Sequence, residues 1–93
     1  MTKQSIIQAI NARVAGVAAS FSAWRIGLTH DPTERKTYWN ETEKENVGCW
    51  TQWTADSLSD AQDIESYFIN EKKMKGGTGG DLDFRKTTYV YIF

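Results

Sequence analysis

A single cysteine and a single histidine limit how this chain of 93 residues can be stabilised. Cys49 has no second cysteine with which to form a disulfide or a zinc cluster, so we expect a cytoplasmic protein in which Cys49 is a small buried hydrophobic residue. The lone His30 excludes metal motifs that need two histidines. Stability must therefore come from an apolar core, and four Trp, four Tyr and four Phe supply large side chains for it.

Length, composition and charge indicate one globular domain spanning residues 1–93. The chain is 40% hydrophobic and 25% charged, with eleven basic and twelve acidic residues and a formal net charge of −1. This balance argues against a protein that wraps nucleic acid by its overall charge, although a local basic groove remains compatible with it. The apolar stretch at 14–21 is too short to span a bilayer, so we expect no targeting or transmembrane segment and no membrane partner.

Hydrophobic periodicity predicts an α+β fold, in which a small sheet of about three strands packs with about three helices in the order α-β-α-β-α-β. Residues 1–22 are predicted to be an amphipathic helix that covers a sheet or a partner, because apolar residues recur there at spacings of three and four. These residues are Ile6, Ile10, Val14, Val17 and Phe21.

The remaining elements follow from capping and strand signals. A short second helix is predicted to begin at Asp31–Pro32, and a third to run from about Asp60 to Lys75, with Gly76 ending it. Strands are predicted at 23–29, 49–55 and 87–93. The polar segment from Asn40 to Gly48 reads as an exposed loop.

The segment Ile26-Gly-Leu-Thr-His-Asp-Pro-Thr-Glu-Arg35 resembles the second half of the GIY-YIG nuclease motif. Both have a strand ending in Ile-Gly, a Thr two residues later, and a helix carrying an Arg eight residues after the Gly. In that family the arginine binds and stabilises the reacting phosphate, which implies this role for Arg35. Ala61-Gln-Asp-Ile-Glu-Ser-Tyr-Phe-Ile69 is similar to a later helix of the family, whose glutamate holds a divalent metal. The resemblance implies that Glu65 binds Mg²⁺ or Mn²⁺.

The family's opening Gly-Ile-Tyr strand has no counterpart before residue 23, where this chain has a helix. Thr87-Thr-Tyr-Val-Tyr-Ile-Phe93 resembles that strand, so we hypothesise a circular permutation. The resemblance then covers residues 23–93, with 1–22 as an additional helix. Tyr89 or Tyr91 would supply the family's phenol.

Two positions depart from the family pattern. Arg25 stands where the family has the tyrosine of its second tripeptide, and Trp39 stands where a histidine often follows the arginine. These departures are compatible with a degenerate member of the family.

The resemblance implies metal-dependent phosphodiester hydrolysis, or nucleic-acid binding, with DNA or RNA as the partner. Basic side chains expected to contact nucleic acid are Arg25, Lys72, Lys73, Lys75, Arg85 and Lys86.

Each of these residues also has a purely structural interpretation. Glu65 lies on or beside the apolar face of its helix and would then pair with Arg35 or Arg25. Tyr89 and Tyr91 alternate with apolar residues and would pack in the core or across strands. The alternative function is a non-catalytic protein-interaction module, including a homodimer formed through the N-terminal helix. The sequence leaves open whether the protein is an enzyme.

Overall fold

The computed structural model describes residues 1–17, 20–76 and 82–93 and confirms the predicted α+β class. The helices are α1 (Lys3–Val17), α2 (Pro32–Thr37) and α3 (Leu58–Asn70). The strands are β1 (Arg25–Thr29), β2 (Thr51–Thr54), β3 (Lys75–Gly76) and β4 (Tyr89–Ile92). A 3₁₀ turn at Phe21–Ala23 precedes β1, and a π-helical turn at Tyr38–Thr42 continues α2.

The strands form one mixed sheet in the order β2-β4-β1-β3. The C-terminal strand β4 lies inside the sheet, antiparallel to both β1 and β2, whereas β3 is parallel to β1. The register sets Gly27 opposite Tyr91 and Thr29 opposite Tyr89. Directly paired residues share a face of the sheet, so both tyrosines lie on the face of Gly27 and Thr29, as their alternation predicted.

The main core lies between the other face of the sheet and helices α1 and α3. It contains Ile6, Ile10 and Val14 of α1, Ala61, Ile64 and Phe68 of α3, and Ile26, Leu28, Val90 and Ile92 of the sheet. Trp53 packs against this core, while Trp50 stacks on Tyr91 across the sheet, so the two lie on opposite faces as predicted. On the apolar side of α1, Ile6, Ile10 and Val14 are buried within their own chain.

The first helix is shorter than the predicted span of 1–22. It ends at Val17, whose side chain is 42% exposed, and Phe21 reaches the core from the 3₁₀ turn instead. Phe21 thus takes up core packing that the predicted continuous helix would have given it from its own last turn.

The third helix ends five residues earlier than predicted, and β3 was not predicted at all. Ser57 caps the helix by accepting a hydrogen bond from the Asp60 amide at 3.1 Å. Beyond Asn70 the chain turns through Lys73, at φ 64°, and buries Met74. Burial of Met74 and pairing of β3 with β1 replace further helix, so Lys72, Lys73 and Lys75 lie beyond α3 and Gly76 does not end it. Lys73 still donates a hydrogen bond to the carbonyl of Asn70, the last residue of the helix.

Two smaller predictions need correction. Cys49 is exposed rather than buried, because it precedes β2 and is not part of the pleated strand. The segment 40–48 is largely exposed as predicted, but it begins within the π-helical turn rather than as a loop. Glu45 in this segment lies 3.7 Å from the Arg25 guanidinium.

Candidate functional site

Tyr91 is the centre of an aromatic cluster on the sheet face opposite the main core. We define this aromatic cluster as Tyr38, Trp39, Trp50, Tyr91 and Phe93. The Tyr91 ring stacks on Trp50 with centroids 4.4 Å apart, and Trp39 Nε1 donates a hydrogen bond to the Tyr91 hydroxyl at 2.9 Å. The ring lies over Gly27, where an added Cβ would be 2.3 Å from the Tyr91 Oη. Glycine at this position is therefore what admits the phenol.

Three charged residues from different elements affect the pKa of this phenol through their charge. Burial raises the pKa of Tyr91, and the Trp39 hydrogen bond lowers it in part. Arg35 and Arg25 lower this pKa as well, whereas Glu65 raises it. The phenol therefore keeps its proton at neutral pH, and its oxygen accepts the hydrogen bond from Trp39. Arg35 and Glu65, which the sequence proposed as partners in one site, both belong to its electrostatic surroundings.

Arg35 is positioned by the predicted cap of α2. The Asp31 side chain accepts a hydrogen bond from the Glu34 amide at 3.1 Å, and Pro32 opens the helix directly after β1. The half-buried Arg35 guanidinium lies 4.9 Å from the centroid of the Tyr38 ring. It makes no ion pair with any carboxylate of the described residues. Arg35 is therefore a cation with capacity to bind an anion.

Glu65 is half-buried on α3, and burial raises the pKa of its carboxyl above the ordinary value. Within residues 1–17, 20–76 and 82–93 it makes no hydrogen bond or ion pair, so it is not the structural partner of Arg35 or Arg25. A half-buried carboxylate without a partner suits a hard divalent cation, and Mg²⁺ often uses one or two carboxylates together with substrate phosphate and water.

The donor set around Glu65 limits what kind of metal site is feasible. Among the described residues, no three or more His, Cys, Asp or Glu side chains are grouped to hold a metal ion. A cage built from the protein alone is thus absent from that part of the chain. The residues present fit only an ion shared with a bound phosphate.

Tyr89 and Arg25 differ in how available their polar groups are. Tyr89 is half-buried opposite Thr29, and its hydroxyl has no hydrogen-bond partner among the described residues. Arg25 is already engaged: it lies 4.5 Å from the Trp39 ring centroid, donates to the Gly76 carbonyl, and pairs with Glu45. Arg25 therefore holds the aromatic cluster together as well as contributing charge.

The other predicted basic contacts do not converge on one surface. Lys86 lines a cleft of about 400 Å³ together with Arg35, whereas Lys75 lines a depression of about 190 Å³ with Arg25. Lys72 packs over the Phe21 ring at 5.3 Å, and Lys73 donates to the Asn70 carbonyl at 2.8 Å. Arg85 makes a two-pronged contact with Asp83, at 3.0 and 3.1 Å.

His30 has a positioning role that the sequence did not reveal. Its Nε2 accepts a hydrogen bond from the Asp83 amide at 2.6 Å, and its Nδ1 lies 2.9 Å from the Thr87 carbonyl. This pattern fits a neutral imidazole with its proton on Nδ1. His30 thereby fastens the segment before β4 to the cleft beside Arg35. An isolated histidine after a strand gives no sequence signal for such a long-range contact.

Trp39 is the second group whose role was not predicted. Its indole is buried and donates a hydrogen bond to the Tyr91 hydroxyl. An aromatic residue in a charged segment was its only sequence signal.

Comparisons with protein-family models, with curated proteins and with solved structures found no match to this chain. Of the helices in the described ranges, none is long and apolar enough to cross a membrane.

Proposed function

We propose that this protein is a metal-dependent phosphodiesterase that acts on nucleic acid, with a site formed by Arg35, Glu65 and Tyr89 around the buried Tyr91. The main support is the pairing of β4 with β1, which sets Tyr89 opposite Thr29, just before the helix that carries Arg35. The charges of Arg35 and Glu65 also both affect the pKa of Tyr91 on β4. Neither charged group has an ion-pair partner in the described residues. Unpaired opposite charges gathered beside a perturbed phenol are typical of functional sites.

The strand arrangement supports a permuted GIY-YIG-like fold as the framework of this site. The permutation hypothesis requires the C-terminal strand to lie beside the strand that carries Ile26-Gly27. β4 is paired antiparallel to β1 along its length, with Tyr91 across from Gly27. The helix bearing Arg35 follows β1 directly, and α1 packs on the other face of the sheet.

Each residue of the site is proposed to have a separate role, and exposure distinguishes the roles of the two tyrosines. Arg35 would stabilise negative charge on the phosphate during displacement. Tyr89 is the phenol available to solvent, and its hydroxyl would orient the attacking water. Tyr91 is fully buried, so it acts as a positioning residue that holds Trp39 and, through it, Arg25. Glu65 would hold a Mg²⁺ or Mn²⁺ ion, which supplies positive charge at the leaving oxygen.

A cleavage assay with matched variants tests this proposal. The substrate is a labelled oligonucleotide, and the assay is run with Mg²⁺, with Mn²⁺ and with a chelator. We expect Arg35→Ala and Glu65→Gln each to reduce the cleavage rate by about 100-fold or more. Lys36→Ala on α2 and Glu71→Gln, directly after α3, change exposed charges and should keep most of the activity.

Two results would overturn the proposal. One is wild-type protein that cleaves neither DNA nor RNA with either metal. The other is cleavage that persists unchanged in Arg35→Ala or Glu65→Gln, with circular dichroism showing that the variants are folded.

The non-catalytic alternative has one supporting observation. In the described part of the chain β2 pairs only with β4, so its outer edge can receive a strand from another protein or another copy. Light scattering over a wide concentration range tests a homodimer of this kind. If the protein dimerises through the edge of β2, Gln52→Pro should be monomeric, because proline removes a backbone N–H from that strand. A wild-type protein that is monomeric at every concentration would reject this homodimer.

A further inference from the structure

Phe84 projects into solvent from a segment that is held in place. Its side chain is 80% exposed, the most exposed large hydrophobic side chain among the described residues. The residues on both sides of it are anchored to His30, through the Asp83 amide and the Thr87 carbonyl. An exposed aromatic ring on an anchored backbone offers a flat apolar surface at low conformational cost.

Two clefts share a lining residue, Lys86, two positions from Phe84. The first, of about 400 Å³, is lined by Thr29, Arg35 and Lys86, and the second, of about 430 Å³, by Ser57, Phe84 and Lys86 among others. We define the path as the surface from Arg35 through Lys86 to Phe84. The N-terminal end of α3, which begins after Ser57, adds its positive dipole end to the second cleft.

The charges along this path favour an anionic ligand. Lys86 and Arg35 make no ion pair with described carboxylates. Of the acidic residues at the clefts, Asp56 is paired with the amino group of Met1 at 3.0 Å, and Asp31 caps α2. Glu34 also lines the first cleft and leaves the path only moderately basic.

We propose that this path binds single-stranded nucleic acid, with one base stacked on Phe84 and backbone phosphates at Lys86 and Arg35. This inference rests on the proposed function and names the substrate class of the same site. Stacking on a side chain requires a base whose face is free, and in a duplex those faces are covered by neighbouring base pairs. The basic and aromatic residues of the path therefore select single strands over duplexes.

Binding measurements in a chelator separate this inference from catalysis. Fluorescence anisotropy is measured with labelled ten-nucleotide dT and rU strands, whose comparison shows which sugar is preferred, and with a ten-base-pair DNA duplex. We expect both single strands or one of them to bind more tightly than the duplex. Phe84→Ala should weaken single-strand binding by about 5-fold to 100-fold, while Phe84→Trp retains it.

Two further variants sharpen the test. Val17→Ala shortens another exposed apolar side chain, which lines neither of the two clefts, and should leave affinity unchanged. Lys86→Ala should weaken binding and reduce the slope of log affinity against log salt by about 0.7, the value for one phosphate of a single strand.

The inference is wrong if Phe84→Ala binds as tightly as wild type, if the duplex binds at least as tightly as both single strands, or if no strand binds. Its failure is distinguishable from failure of the proposed function. Single-strand binding that depends on Phe84, without any cleavage, would reject hydrolysis and keep this ligand. Cleavage that depends on Arg35 and Glu65 but does not change in Phe84→Ala would keep the proposed hydrolysis and reject stacking on Phe84.

Discussion

Gly27→Ala should destabilise the protein strongly, because the Tyr91 ring occupies the space that the added methyl group would need. An added Cβ would lie 2.3 Å from the Tyr91 Oη and 2.4 Å from its Cζ, far inside van der Waals contact. The ring cannot move aside freely, since it is fully buried, stacked on Trp50 and hydrogen-bonded to Trp39. Forced overpacking costs about 1–3 kcal/mol, and a buried indole N–H left without its acceptor adds about 1–3 kcal/mol.

Urea unfolding followed by tryptophan fluorescence measures this loss. Even a loss of about 2 kcal/mol would lower Tm by about 8–16 °C for a domain of this size. Gly16→Ala is the matched control, because it adds the same methyl group to α1 where nothing lies within 4 Å, and it should stabilise the protein by about 0.5 kcal/mol. The reasoning is refuted if Gly27→Ala lies within about 0.5 kcal/mol of wild type, the range typical of surface changes.

Three further changes probe the same region. Tyr91→Phe keeps the ring but removes the acceptor for Trp39, so the free energy of unfolding should fall by about 1–3 kcal/mol in urea titration; no change would mean that the hydrogen bond is not formed. Thr88→Val removes the buried Thr88 hydroxyl, which has no hydrogen-bond partner in the described residues, and calorimetry should show Tm unchanged or higher; a clear decrease would indicate a hidden partner. Glu65→Gln should be more stable than wild type by an amount that grows with pH. Below the ordinary pKa of 4.5 the Glu65 carboxyl is protonated in both states; as pH rises through the raised folded pKa, wild type loses stability that the variant keeps. An equal stability difference at pH 3.5 and pH 7, measured in chelator, would contradict the direction of that shift.

The parts of the fold that the sequence predicted are those governed by local patterns. Ile6, Ile10 and Val14 recur at helical spacing and are buried together, and Asp31 and Ser57 cap helices as their side-chain chemistry indicates. The alternation of Tyr89, Val90, Tyr91 and Ile92 predicted which tyrosines share a face.

The parts that were missed depend on contacts between distant segments. Met74 is one apolar residue in a lysine-rich run, and only the edge of β1 makes its burial and the strand β3 favourable. Helix propensity alone extends α3 through the lysines, because those residues favour helix when no tertiary contact competes. The candidate site also depends on contacts between distant segments. The resemblance to the GIY-YIG motif suggested Arg35, Glu65 and the tyrosines, but the requirement for Gly27 beneath Tyr91 arises only once β1 and β4 are paired.

We propose that Arg35 and Glu65 act on one reaction at one site. The decisive experiment is single-turnover cleavage of a labelled single strand with Mg²⁺, measured for Arg35→Ala, Glu65→Gln and the double variant. Residues that act as a unit are strongly non-additive, so the double variant should be about as slow as the slower single variant. Losses that simply multiply, or a double variant that retains wild-type cleavage, would contradict the account.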